Sequence, residues 1–406
     1  MHFIFECLGY NELDHHAPVA SELLKQGHGV TFLVESDLKI LKDPKVEYLK
    51  QWDNFKVLHR DDFASRRSQA IFLFLSRCFF GRFSKLIPSN TLRLNWLTRS
   101  AGACGVFRAH NNLEFDCAIS GWGDPSSLLM ISAQTRKKVI CALPHGYPCI
   151  KNFDFNPHIK AIYEKTGRGP DFSVRNQFAT YVVATERNKT MLLAWKMSPS
   201  VVRVWGNARF SPAWVNVLLR ILPSPTLKDN AENLRRVLIL LPASTSGFHQ
   251  QELQSLLEHL AQLPIHLTIK PHTRETGLSP LIPMKLAGRS NVSVAYEAHT
   301  SKLIELADTV INFATGTAIE ALIAGKRLIF CQYLTENELS WEDCGGLQIA
   351  NSEAELVNLV LDEQWNCDLE ATELYLRQEI FAGGAIANPP LHYAEQLVQL
   401  VHDSKR

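Results

Sequence analysis

Apolar residues along the chain fall into short continuous runs separated by stretches with helical spacing. His2–Leu8 is such a run, and Gly29–Val34 is a second. Between them, Asp14–Gln26 carries Ala17, Ala20, Leu23 and Leu24 at helical intervals, with Asp14 as the expected cap and Gly27 as the stop. Strand, helix and strand in close succession predict a βαβ unit with parallel strands. The alternation continues through strand-like runs at Cys117–Ser120, Lys138–Leu143, Tyr181–Ala184 and Val201–Trp205. A stretch rich in proline and polar residues, Leu222–Asn233, then reads as a linker. A second series follows it, with strands at Arg236–Leu241, His266–Lys270, Val292–Ala295, Thr309–Phe313 and Arg327–Gln332 and a helix at Gln250–Gln262. Two such series predict an α/β chain of two Rossmann-like domains facing a cleft, with ligands at the carboxyl ends of the strands. The expected boundaries are a first domain over 1–222, a second over 234–385 and a C-terminal helix over 386–406.

Composition adds little to that picture and excludes some alternatives. Of 406 residues, 46% are hydrophobic and 20% charged, as in a globular protein. A formal net charge of +1 argues against a nucleic-acid partner. Nine scattered cysteines form no C-x-x-C pair, so a structural metal is not expected; several lie in apolar runs and read as buried small hydrophobes in a reducing compartment. The segment Met1–Glu6 lacks a basic n-region and reads as a first strand, not a signal peptide. No window is long and apolar enough to span a bilayer. Together these readings point to the cytoplasm. One segment departs from the average. From Phe63 to Leu113 there is no acid, while Arg66, Arg67, Arg77, Arg82, Lys85, Arg93, Arg99 and Arg108 interleave with Ile71–Leu75 and Cys78–Phe80. This insertion, 63–113, is either a helical hairpin packed on the first domain or a basic aromatic surface for the inner face of an anionic membrane.

Candidate chemistry gathers where strands end. Thr309–Phe313 runs into Ala314-Thr315-Gly316-Thr317 and then a helix containing Glu320. Such a turn offers main-chain N–H groups and two hydroxyls to a phosphate, and Glu320 could accept from a ribose. Thr317 and Glu320 equally fit a capping box. After His266–Lys270 come Pro271, His272, Thr273 and Arg274, which places Lys270, His272 and Arg274 in a loop suited to a diphosphate. His145, in Leu143-Pro144-His145-Gly146-Tyr147-Pro148, is held in a stiff turn after a strand and is a candidate general base. Arg209, after Val204-Trp205-Gly206, is a candidate phosphate ligand or an interdomain ion-pair partner. His15 or His16, near the start of the first helix, could face an acceptor; nothing in their spacing calls for a metal.

Taken in order, the first βαβ unit over Asp14–Ser36, the His145-Gly146 turn, Gly206–Arg209, Lys270-Pro-His272 and Asn312–Glu320 resemble GT-B glycosyltransferases of the bacterial surface-carbohydrate type. That group is related to the CDP-glycerol glycerophosphotransferases, or teichoic acid polymerases, and to Kdo transferases. The resemblance runs from about residue 2 to 335. It implies a nucleotide-sugar donor held without metal or further cofactor by Lys270, His272, Thr315, Gly316, Thr317 and Glu320 in the second domain, with Arg209 reaching it from the end of the first. The first domain would take a glycan or lipid-linked acceptor, with His145, His16 or Asp124 as the catalytic group. Two departures, Thr315 and Thr317 in place of paired serines and Pro144 before the His-Gly turn, shift the expected donor from a CDP-polyol to CMP-Kdo. The same fold serves UDP-N-acetylglucosamine 2-epimerases and non-catalytic nucleotide-binding subunits.

Overall fold

The computed structural model describes all residues except 36–37, 82–85, 88, 106–112, 122, 145, 147–156, 168, 229–233, 244–247, 273–278, 314, 341–343 and 366. The chain divides into two compact units. One comprises Met1–Gly146, Gly169–Val215 and Gln378–Arg406, and the other Tyr147–Arg168 and Asn216–Arg377.

The first unit is built on seven strands: β1 (His2–Cys7), β2 (Gly29–Val34), β3 (Phe55–His59), β4 (Cys117–Ser120), β5 (Val139–Ala142), β6 (Thr180–Val183) and β7 (Val202–Val204). All neighbours pair in parallel, in the order β3-β2-β1-β4-β5-β6-β7. Parallel pairing requires crossover helices, which cover both faces, and this is why Phe3, Ile4 and Phe5 of β1 are all fully buried. The helix Tyr10–Lys25 begins earlier than its apolar spacing suggests, at Gly9, with no side-chain cap. Asp14 therefore lies inside the helix and does not cap it, and Pro18 sits near its middle. The final helix, Pro389–Ser404, opens on two prolines, which need no N–H partner in the first turn, and Asn388 accepts from the N–H of Leu391. It packs on Tyr10–Lys25, and Tyr393 donates to the carbonyl of Gly206 at 2.8 Å.

The basic insertion forms two helices, Arg66–Phe80 and Asn90–Ala103, capped by Ser65 and Ser89. They pack on each other, and the second also packs on the helix Leu128–Thr135. Phe72, Leu94, Leu97 and Ala101 are their buried apolar positions.

The second unit has six parallel strands, β8 (Arg235–Leu240), β9 (Ile265–Lys270), β10 (Val292–Val294), β11 (Thr309–Asn312), β12 (Arg327–Cys331) and β13 (Leu347–Ala350). Their order is β10-β9-β8-β11-β12-β13. One core lies on the face carrying Val237, Ile239, Leu267, Ile269, Ile311 and Ile329, under the helix Gln250–Leu260. In both sheets the strand order reverses next to the first strand, between β1 and β4 and between β8 and β11. Open α/β sheets bind ligands in the crevice outside the carboxyl ends at such a reversal.

Five of the cysteines, Cys7, Cys117, Cys141, Cys331 and Cys344, are free and buried, while Cys104 is exposed. Among the described residues, no helix is long and apolar enough to cross a membrane.

Candidate functional site

In the second unit, the carboxyl end of β8 is flanked by the ends of β9 and β11. Lys270 is the last residue of β9, paired in register with Leu240, and so belongs to the strand instead of the loop. Its ammonium is buried and donates to the carbonyl of Tyr296 at 2.7 Å. Burial brings its pKa down to about 8, because desolvation disfavours the charged form. His272 follows, half-buried, whereas Arg274 lies outside the described residues.

After β11 the chain makes a 3-10 turn over Gly316–Ala318 and enters the short helix Ile319–Ile323. Thr315 sits at the start of that turn in an extended conformation, and its side chain makes no capping bond. Thr317 lies within the turn, and the helix itself is preceded by Ala318. Asn312 donates across to the carbonyl of Ile329 at 3.3 Å, which fixes the strand end. Glu320 is buried, and its carboxylate accepts from the hydroxyl of Ser301, tying Thr300–Leu306 to Ile319–Ile323. Lys270 and His272 thus lie at the end of β9 and Thr315, Gly316 and Thr317 after β11, on either side of β8, and Glu320 is buried.

Arg209 is placed otherwise. It belongs to the first unit, where its guanidinium lies 3.1 Å from Asp14. The other oxygen of Asp14 is 3.2 Å from the fully buried Lys45, which also holds Asp43 at 3.0 Å. Two cations facing two carboxylates in this burial satisfy one another, and removing one would leave an uncompensated buried charge. Arg209 is therefore engaged with Asp14.

The reversal of the first sheet gathers different groups. Glu6 lies near the end of β1, buried, with the hydroxyl of Ser120 at 3.4 Å. Its carboxyl is pushed up to about 7, first by burial and then by the charge of Asp124, against the opposing hydrogen bond from Ser127. Asp124 is exposed and accepts from the main-chain N–H and hydroxyl of Ser126 at 2.8 and 2.7 Å. Glu12 and His16 lie on the inner side of Tyr10–Lys25, both buried. The ring of His16 is 5.3 Å from that of Phe5, and its Nδ1 is 3.4 Å from the Cys7 sulfur. Gly121, just after β4, is pressed against both: a Cβ there would stand 2.6 Å from Glu12 and 3.2 Å from His16. Only glycine lets the chain pass so close. His15 is also buried within the helix. His145 lies outside the described residues. Among those described, no group of three or more His, Cys, Asp or Glu could hold a metal ion.

Sequence reasoning passed over Glu6 and Glu12. The signal for Glu6 was present: a lone carboxylate at the end of an otherwise apolar strand that is buried on both faces, where an acid is costly unless it has a role.

No protein-family model matches the chain, and no curated protein sequence matches it significantly. Solved structures match its fold. One is CalG4, the calicheamicin glycosyltransferase, at 13% identity and a TM-score of 0.54, covering 99% of this chain and 98% of that one. Another is the UDP-GlcNAc 2-epimerase from Neisseria meningitidis bound to UDP-GlcNAc, at 13% identity and a TM-score of 0.54, covering 99% and 100%. A third is the wall teichoic acid polymerase TagF, at 12% identity and a TM-score of 0.52, covering 99% and 88%. At such identities the likeness establishes the fold: two Rossmann-like parallel α/β domains of GT-B architecture.

Proposed function

We propose that the chain is a glycosyltransferase acting on a nucleotide-activated sugar. In this reading the second unit holds the donor's phosphate through Lys270, His272 and the Thr315-Gly316-Thr317 turn. The observation that supports it is that a desolvated ammonium and a turn whose Thr315 side chain makes no capping bond stand at the carboxyl ends of the two strands that flank β8. A phosphate restores to Lys270 the counter-charge that burial removes, and it accepts from main-chain N–H groups at no reorganisation cost. Stabilisation of the leaving phosphate and positioning would supply the catalysis, without a metal.

The finer donor, a cytidine nucleotide sugar with CMP-Kdo first, and a bacterial surface glycan or lipid-linked acceptor rest on the ordered sequence motifs alone. His145 remains the proposed base on the same footing, with Asp124 as nucleophile should the reaction proceed by double displacement. A thermal-shift screen of CMP, CDP, UDP and GDP tests the donor class, since a ligand bound only by the folded state raises the melting temperature. Stabilisation by none of the four would overturn the reading.

One observation favours a second reading. The cluster of Glu6, Glu12, Asp124 and His16 in the first unit suits proton removal and return on a sugar ring, as in a UDP-N-acetylglucosamine 2-epimerase. Incubation with UDP-N-acetylglucosamine alone separates the two, because an epimerase forms its product with no acceptor present.

A further inference from the structure

The two helices of the insertion present outward stripes of unusual composition. On Arg66–Phe80 the exposed positions are Arg66, Arg67, Ala70, Leu73, Phe74 and Arg77, which recur at three- and four-residue intervals and so form one face. Leu73 is 49% exposed and Phe74 65%. On Asn90–Ala103 the exposed face includes Leu92, Trp96 and Arg99, with Leu92 at 51% and Trp96 at 55%. The helices pack on each other, and the rings of Phe79 and Trp96 approach to 6.4 Å between them. Leu86, in the connection, is 76% exposed. The buried side of the hairpin is already satisfied, since Phe72, Leu94, Leu97 and Ala101 fill it. The exposed leucines and aromatics are therefore not a core in want of its cover. They form a separate apolar surface.

The charge on that surface has one sign. From Phe63 to Leu113 the chain contains no acid, although the whole chain is nearly neutral at +1. The nearest acids upstream are Asp61 and Asp62 at the base of the hairpin, and Asp61 accepts from Gln69 at 3.1 Å. Water-facing helices ordinarily mix both signs, and large apolar side chains rimmed only by arginine are poorly matched to water. They match a surface that is anionic at the headgroups and apolar beneath. Arginine also keeps its charge at that depth, and tryptophan favours the headgroup level.

We propose that this hairpin lies flat on an anionic lipid surface, with Leu73, Phe74, Leu92 and Trp96 below the headgroups and Arg66, Arg67, Arg77 and Arg99 among them. Neither helix is long and apolar enough to span a bilayer, so the contact is peripheral. It is independent of the glycosyltransferase reading and holds whatever the chain catalyses.

The test uses the full chain and vesicles of phosphatidylcholine, with or without about 30% phosphatidylglycerol, enough to give the surface a negative potential. The protein should cosediment with the anionic vesicles and not with phosphatidylcholine alone. Raising salt to about 0.5 M, where screening reaches only a few ångströms, should release it. Arg66, Arg67 and Arg77 changed together to Gln should weaken partition by about fivefold per arginine, roughly a hundredfold in all. Phe74→Ser with Trp96→Ser should weaken it by at least about tenfold through lost apolar burial. All five positions face solvent or lie at its edge, and far-UV circular dichroism checks that each variant is folded. Absence from anionic vesicles at low salt overturns the proposal, and so does binding that neither variant changes. A concentration-dependent dimer that the Phe74→Ser, Trp96→Ser variant abolishes, without vesicle binding, would assign the surface to a second copy of the chain instead.

Discussion

At the carboxyl ends of β1 and β4 the first unit gathers Glu6, Glu12, Asp124 and His16, whereas the second unit gathers Lys270, His272, Thr315 and Thr317 beside β8. The two sheets reach these points by the same strand order, with the same kind of reversal. The backbone thus supplies two similar crevices, and the side chains give them opposite character. Burial acts on both in the same sense, against charge. It pushes the Glu6 carboxyl up to about 7 and brings the Lys270 ammonium down to about 8. A desolvated acid near neutrality is suited to giving and taking a proton. A desolvated ammonium gains most from an anion that arrives with its own charge. The fold therefore does not assign the roles; one acid and one base, each placed at a strand end, do so.

The largest expected effect is at Glu6. If the first crevice moves protons, Glu6→Gln should lower turnover of a sugar donor carrying the nucleotide identified by the screen by ~10²–10⁴-fold, with nucleotide affinity nearly unchanged. A rate close to wild type would remove Glu6 from the chemistry and leave Asp124, His16 or His145 to carry it. Stability supplies an independent check. The folded pKa, about 7, lies above the ordinary value of 4.5, so the protonated form favours folding. That contribution is complete below pH 4.5 and is lost as the pH rises through about 7. At one pKa unit per 1.36 kcal/mol, the loss by pH 8 is at most ~3 kcal/mol. Urea denaturation should therefore show Glu6→Gln gaining stability over wild type between pH 5 and pH 8. A constant difference across that range would mean that Glu6 is not desolvated as described.

The matching change in the second crevice should act on binding. Thr317→Ala combined with His272→Ala removes one hydroxyl and one imidazole from the strand ends. At ~1–3 kcal/mol for each hydrogen bond to a charged or buried group, nucleotide affinity should fall by at least ~2 kcal/mol in calorimetric titration. Nucleotide binding left intact in the folded double variant would abolish the contrast between the two crevices. If both this variant and Glu6→Gln impaired binding alone, the division of labour would fail in the other direction.

The sequence made the repeated strand–helix alternation readable because strands buried on both faces are continuously apolar. It concealed β3 and β13, both edge strands. Phe55-Lys56-Val57-Leu58-His59 and Leu347-Gln348-Ile349-Ala350 are largely half-buried and lack that signature. The turn at Thr315–Thr317 was readable from small residues after a strand, and Lys270 from its place at the end of an apolar run. The partners that decide a side chain's task were not. Asp14 looks like a cap because caps are recognised locally, but Gly9 starts the helix and Asp14 meets Lys45 and Arg209. Arg209 likewise had a plausible place near a strand end, and its ion-pair partner is a carboxylate almost two hundred positions away. Glu6, Glu12 and Asp124 are separated by a strand end, a helix turn and a long insertion. Only the pairing of β1 with β4 puts Glu6 beside Ser120, and with it the loop that carries Asp124.

The smallest effect expected is also the most direct probe of Lys270, since it changes no atom. Burial brings the pKa of its ammonium down to about 8 in the free protein, and among the described residues it donates to the carbonyl of Tyr296. A bound phosphate opposite it would favour the charged form and raise that pKa. Affinity should then be nearly level from about pH 7 to 7.5 and fall above about 8, at most ~10-fold per pH unit, because one proton must be taken up on binding. CMP is the suitable probe, as its phosphate has lost its second proton by pH 7.5 and cytosine releases none up to pH 9. Lys270→Arg keeps a positive group that does not titrate in this range, so its affinity, whatever its absolute value, should be level between pH 7.5 and 9. Two results would sink the assignment: a flat profile in the wild type, or the same fall in both proteins. The first would mean that Lys270 does not face the phosphate, and the second that some other group carries the proton.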